Sequence, residues 1–251
     1  MHPYFEDGFL AFAHRGGALE MPENTLAAFR RAADLGYRYL ELDVRATRDG
    51  RVVVFHDAEL ERATDSQGIV SEFRWEDLEA VRVAGMEPIP LLEEVLETFP
   101  NLKINIDAKD DAVVEPLSSL LRRADALRRV CVGTFSGRRL ARLRRLLGPD
   151  LCTALGPGEI MRLWLAARTR IPPGSFAGQC AQVPVGYYGT DVATPVFVKT
   201  CARAGLPVHV WTIDDPVEMN RLIDLGVSGL MTDRPEILKA ELERRGLWRT
   251  G

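Results

Sequence analysis

Short apolar runs that end in ionisable residues alternate with helix-period segments along almost the whole chain. Runs of β-branched, aromatic and aliphatic residues fall near positions 10–14, 39–44, 102–108, 129–134, 151–155, 176–183, 207–212 and 229–232, with the length and composition of buried strands. Segments with apolar residues spaced by three and four occupy 24–36, 91–99, 112–124, 136–147, 158–169, 194–204, 215–225 and 235–245, which predicts a helix after nearly every strand. Thr194-Pro195 and Asp215-Pro216 read as N-caps followed by proline at the first helical position, and Gly36, Gly205 and Gly226 read as helix stops. Eight such units predict an α/β fold, a (β/α)8 TIM barrel forming a single domain over residues 1–251.

One stretch departs from the alternation. Arg48-Asp49-Gly50-Arg51 carries a tight-turn signal and the run Val52 to Phe55 follows, so a hairpin is expected there in place of a crossover. With Asp49-Gly50 as a two-residue turn, the register puts His56 opposite Asp43, within side-chain reach. Residues 58–88, with Gly68, Trp75, Gly85 and mixed charge, are too short and too interrupted for another βαβ repeat. They are expected to form a small insertion after the second strand, capping the barrel mouth.

With 251 residues, 46% of them hydrophobic, the chain can bury a large core. Its net charge of −4 argues against nucleic acid as a partner. The pairs Arg122-Arg123, Arg128-Arg129, Arg138-Arg139 and Arg144-Arg145 sit among Leu and Ala at helical spacing and read as solvated helix faces. Cys131, Cys152, Cys180 and Cys201 are far apart; buried thiols are expected, with neither a zinc site nor a disulfide framework. The chain begins with no basic region followed by an apolar stretch, and no run approaches membrane-spanning length. A cytoplasmic protein without a stable membrane anchor is expected.

Barrel enzymes act at the C-terminal ends of their strands, and here those ends are His14-Arg15, Glu41 with Asp43, Asp107 with Lys109, Trp211, and Thr232-Asp233. Glu41 and Asp43 lie two apart on a strand and point to the same side, the barrel interior; Asp107 and Lys109 repeat the spacing. Three carboxylates in one small volume repel one another unless a cation is present, and all-oxygen ligation suits a hard divalent ion, Mg²⁺ or Ca²⁺. The competing reading is that Arg15, Arg45 and Lys109 neutralise the acids in salt bridges. His14 and His56, flanking the acids, can supply a general base and a general acid, whereas His2 and His209 read as structural. Arg15 and Lys109 suit a phosphate group. Trp211 reads equally as an aromatic wall for a polyol skeleton or as core packing.

Taken together, His14-Arg15-Gly16, Pro22-Glu23-Asn24-Thr25, Glu41-x-Asp43, Thr47-x-Asp49-Gly50, His56-Asp57, the Asn105 to Lys109 segment, Trp211-Thr212 and Gly229-Leu230-Met231-Thr232-Asp233 resemble the glycerophosphodiester phosphodiesterase family, in order and over nearly the whole chain. The resemblance implies a barrel with an insertion after the second strand, a divalent metal, and hydrolysis of small glycerophosphodiesters to an alcohol and glycerol 3-phosphate. It implies that Glu41, Asp43 and Asp107 match metal ligands, His14 and His56 the acid–base pair, and Arg15 and Lys109 the phosphate contacts. Asp107 departs from the family, which usually has Glu there; the shorter side chain withdraws the oxygen by one methylene, so a water-mediated ligand or a different metal preference is expected. Two alternatives are a lysophospholipase D-like phosphodiesterase acting on lipids and a non-catalytic barrel that binds phosphorylated polyols. The second conflicts with the presence of His14, Glu41, Asp43 and His56 together.

Overall fold

The computed structural model describes residues 2–169 and 172–249. Among them, eight parallel strands form the barrel: β1 (Leu10–His14), β2 (Tyr39–Ala46), β3 (Lys103–Ala108), β4 (Val130–Gly133), β5 (Cys152–Thr153), β6 (Ala181–Pro184), β7 (Val208–Trp211) and β8 (Gly229–Thr232). The sheet runs β5-β4-β3-β2-β1-β8-β7-β6. A parallel bridge from Ala154 to Cys180 joins β5 to β6, where the Leu155 N–H donates to the Cys180 carbonyl and the Gln179 N–H to the Thr153 carbonyl, each at 2.8 Å. The helices are α1 (Leu26–Asp34), α2 (Leu92–Thr98), α3 (Val114–Arg123), α4 (Gly137–Leu147), α5 (Pro157–Arg168), α6 (Pro195–Arg203), α7 (Pro216–Leu225) and α8 (Pro235–Arg244). Thr194 caps α6 through the Phe197 N–H and Asp215 caps α7 through the Val217 N–H, each followed by proline as expected.

Side chains alternate across each strand, and the two sides bury different things. Outward residues such as Leu42, Ile106, Val132, Val210 and Leu230 pack against Phe29, Leu117, Leu143, Phe197 and Leu238 of the helices. Each large side chain so buried contributes roughly 1.5–3 kcal/mol, against about 0–1 kcal/mol for a surface ion pair. The apolar alternation therefore sets the architecture, and the arginine-rich helix faces follow it. Inside the barrel, Phe12, Tyr39, Cys131, Cys152, Cys180 and Met231 form a separate core with Tyr4, and all four cysteines are free and buried. Gln182 crosses the interior, donating to Asn105 Oδ1 at 2.8 Å and lying 3.4 Å from Nδ1 of the buried His209. His209 and His2, whose Nε2 lies 3.0 Å from the Asp150 carbonyl, stand outside the mouth.

The hairpin after β2 forms, but its register differs from the expectation by one residue. The return strand Val52–Val54 pairs Val44 with Val54 and Ala46 with Val52, so the residue facing Asp43 is Phe55, whose N–H donates to the Asp43 carbonyl at 3.0 Å. Thr47 accepts from the Gly50 N–H and donates to the Arg51 carbonyl, both at 3.0 Å, and Gly50 has φ +78°. This is a three-residue loop with glycine in the left-handed position, one residue longer than the turn assumed from Asp49-Gly50. His56 thus lies past the end of the pairing.

The insertion at 58–88 contains a 3₁₀ turn (Val70–Glu72), one helical turn (Trp75–Leu78) and a small ribbon pairing Arg82–Val83 with Glu87–Pro88. Val53, Phe55, Leu60, Val70, Leu78, Val81 and Val83 form its core, with Phe73 and Trp75 packed against them, while Met86 is exposed. Among the described residues, no helix is long and apolar enough to cross a membrane.

Candidate active site at the barrel mouth

The register between parallel strands sets His14 beside Glu41 and Asp43 beside Asp107. All four are on the interior side; His14 ends β1 and Asp107 stands one residue before the end of β3, whereas Glu41 and Asp43 lie within β2, which continues to Ala46, past the end expected from the sequence. Beyond His14 the chain turns sharply, with Arg15 at φ +51° and Gly16 at φ +81°. A Cβ on Gly16 would stand 2.6 Å from the Ala28 Cβ, so α1 seats against the turn only because that side chain is absent. The turn brings the Arg15 N–H to Glu41 Oε2 at 3.2 Å, and the Arg15 carbonyl accepts from the Asn24 N–H at 2.9 Å.

Acids and bases alternate across the mouth. Asp43 Oδ1 meets Lys109 Nζ at 2.9 Å, Lys109 reaches Asp107 Oδ2 at 2.7 Å, and Asp43 Oδ2 accepts from Asn24 Nδ2 at 2.9 Å. Arg15 Nε lies 3.1 Å from Asp43 Oδ2 as an ion pair but makes no hydrogen bond. Arg45 turns instead to the His56 carbonyl at 2.9 Å and to Asp110 at 3.4 Å. Burial works against the charge on Asp43, yet Lys109 and Arg15 outweigh it and hold its pKa below the usual range. Burial dominates at Glu41, pushing it up to about 7 despite His14, and it also raises Asp107 despite Lys109.

Glu41, Asp43 and Asp107 are the residues here that could hold a hard cation. Asp107 Oδ1 is buried without a hydrogen-bond partner, and burial disfavours the charged forms of Glu41 and Asp107, which a bound cation would restore. The donors are carboxylate oxygens, as Mg²⁺ and Ca²⁺ require. Among the described residues, no group of three or more His, Cys, Asp or Glu side chains already stands in a metal-holding arrangement; Lys109 bridges two of the candidate ligands.

Each histidine is held at Nδ1 by a carboxylate. His14 Nδ1 is 2.7 Å from Asp233 Oδ1, and its Nε2 is 3.6 Å from Glu41 Oε2. Burial disfavours the His14 imidazolium, but Glu41 and Asp233 outweigh it and raise the pKa. His56 Nδ1 is 2.5 Å from Asp57 Oδ1, and burial, with Lys109 and Arg15, lowers its pKa despite Asp43 and Asp57. Trp211 ends β7 with partial exposure, and Phe135 stands edge-on to it at 5.8 Å.

Asp233, Asn24 and Phe135 hold places in the site that the sequence did not assign them. Asp233 was visible as a strand end, but its pairing with His14 depends on β8 lying beside β1. Asp214 Oδ1 secures it by accepting from the Asp233 N–H at 2.7 Å and from Thr232 Oγ1 at 3.0 Å.

The glycerophosphoryl diester phosphodiesterase family matches residues 14–237. A "Probable glycerophosphodiester phosphodiesterase 2" of Mycobacterium tuberculosis is 39% identical over 250 residues, covering 96% of this chain and 93% of that protein. A lysophospholipase D of Rattus norvegicus is 29% identical, covering 95% and 88%. In fold, the chain resembles a phosphodiesterase of Oleispira antarctica solved with the product sn-glycerol-3-phosphate, at TM-score 0.78 and 20% identity over 94% of this chain and 97% of that one. Residues 14–237 carry the family match across the barrel, insertion and mouth together, and the chain belongs to the glycerophosphoryl diester phosphodiesterase family.

Proposed function

We propose that the protein hydrolyses glycerophosphodiesters to an alcohol and glycerol 3-phosphate, with His14 and His56 exchanging the protons and Glu41, Asp43 and Asp107 holding one divalent cation, Mg²⁺ or Ca²⁺. The observation that carries this reading is the pair of histidines tethered at Nδ1 by Asp233 and Asp57. A tether at Nδ1 fixes the tautomer and leaves Nε2 to exchange protons with substrate.

The cation, when bound, would neutralise the phosphodiester and make its phosphorus more electrophilic. Arg15, whose buried Nε–H has no hydrogen-bond partner, and Lys109 bind the non-bridging oxygens. One imidazole accepts the proton of the attacking oxygen, from water directly or from the substrate's own glycerol 2-hydroxyl, in which case loss of the alcohol leaves a cyclic phosphate that water then opens to glycerol 3-phosphate. The other donates a proton to the departing alkoxide as its P–O bond breaks. Trp211 walls the carbon skeleton. The free thiols of the four cysteines are in keeping with a reducing, cytoplasmic setting.

A lysophospholipase D-like activity is the second reading. Its support is Phe135, 65% exposed and edge-on to Trp211, which offers apolar surface to an acyl chain. Release of glycerol 3-phosphate from glycerophosphocholine tests the first reading; near-normal turnover in either His14→Ala or His56→Ala would remove the acid–base assignment.

A further inference from the structure

We infer that Arg62, contributed by the insertion, is a positioning residue that sets His56 and Arg15 together; the inference rests on the roles proposed above for those two residues. Its backbone is pinned first. Leu60 is fully buried in the insertion core, its N–H donates to the Gly68 carbonyl at 3.0 Å, and its carbonyl accepts from the Ala63 and Thr64 N–H groups at 3.3 and 3.0 Å. This turn over 60–64 leaves Arg62 directed at the two loops that carry site residues.

The guanidinium then engages both loops with its fork. Nη1 and Nη2 donate to the two oxygens of Glu23 at 3.0 and 2.7 Å, and Nε donates to Asp57 Oδ2. The other Asp57 oxygen faces His56 Nδ1, and Glu23 Oε1 also accepts from Arg15 Nη1 at 3.1 Å. The result is one alternating line, His56, Asp57, Arg62, Glu23, Arg15, Asp43. The proposed proton-exchanging imidazole stands at one end, and the phosphate guanidinium stands beside a candidate cation ligand at the other.

The Arg62 side chain is 51% exposed, so its ion pairs add little to global stability; its importance is geometric. Three hydrogen bonds from one planar group fix the angle between Glu23 and Asp57, which a flexible ammonium cannot reproduce. Without it, Asp57 loses the partner that holds it toward His56. Glu23, with one cation fewer, draws more strongly on Arg15 and away from substrate. Both parameters of turnover should therefore change, through two different arms.

The experiment is a set of kinetic measurements on glycerophosphocholine with wild type, R62A, R62K, the double variant E23Q/D57N and the triple variant combining it with R62A, and H14A as the inactive control. We expect R62A to lower kcat by roughly tenfold or more and to raise KM, as loss of an orienting partner does elsewhere, while its melting temperature stays close to wild type. R62K should recover only part of the loss. Adding R62A to E23Q/D57N should cost less than about twofold, because the arms through which Arg62 acts are already gone. An equal cost in both backgrounds, or unchanged kcat and KM in R62A, would overturn the inference. The ring-nitrogen NMR signals of His56 provide a readout without turnover: a shift on R62A substitution supports the inference and identical signals overturn it. If wild type and H14A are equally inactive, the proposed function falls, and the NMR comparison still decides the role of Arg62.

Discussion

His14 Nδ1 lies 2.7 Å from Oδ1 of Asp233, a residue 219 positions further along the chain. The pair exists because β1 and β8 are neighbours, with Ala13 in register with Thr232. It fixes which imidazole nitrogen is left to face Glu41.

Asp233→Asn should therefore lower kcat more than it raises KM, by about 10–100-fold in kcat, since an amide can present a donor where the imidazole needs an acceptor. Steady-state kinetics on glycerophosphocholine measure this. A rise in KM with unchanged kcat would mean that Asp233 serves binding and leaves His14 unaffected.

Exhaustive chelation should abolish turnover, and Mg²⁺ or Ca²⁺ should restore it. Asp107→Ala, which removes the buried unpartnered oxygen, should raise the cation concentration for half-maximal activity by about tenfold or more. Titration of dialysed protein with each ion reads both effects. Full activity in the presence of excess chelator would remove the cation from the proposal.

Gly16→Ala should destabilise the protein by roughly 1–3 kcal/mol and displace Arg15, because the added Cβ meets Ala28 in a left-handed backbone position. Thermal unfolding gives the stability, and KM for the diester reports the displaced arginine. An unshifted melting temperature would show that α1 yields at no cost.

Glu159 makes the stability of the barrel closure depend on pH. It accepts the Gly156 N–H at 2.8 Å, meets Arg144 at 2.9 Å and accepts the Ala177 N–H at 3.0 Å. Burial works against its charge, but Gly156 and Arg144 outweigh burial and lower its pKa. The fold therefore favours the carboxylate: the stabilisation is present above the ordinary carboxylate range and disappears as the pH falls through the lowered value. Glu159→Gln should cost about 1 kcal/mol at neutral pH, a cap-sized effect reduced by partial exposure, and the difference should vanish in acid. A melting-temperature gap that persists at low pH would contradict this.

Phe135→Ala should leave turnover of glycerophosphocholine within about twofold and lower that of a lysophospholipid, if the exposed ring meets an acyl chain. Parallel assays on the two substrates measure it. Equal losses on both would assign Phe135 to supporting Trp211.

The barrel was legible in the sequence because a parallel strand buried on both sides and an amphipathic helix each leave a periodic trace in local residue order. Proline and glycine punctuation marked several of the helix ends. That His14, Glu41, Asp43 and Asp107 face the barrel interior followed from the same pattern, since alternation determines which side each faces. Tertiary structure decided everything that depends on which ends meet. The pairing of Asp233 with His14 needs β8 folded back against β1. The three-residue loop at Arg48 to Gly50 moved His56 past the strand pairing, a difference of one residue to which local turn propensity is insensitive. Arg62 could not be distinguished from any other surface arginine until the insertion's small core aimed it at Glu23 and Asp57. Periodicity is a property of neighbouring residues and is written locally, whereas hydrogen bonds between distant loops depend on packing that no short segment contains.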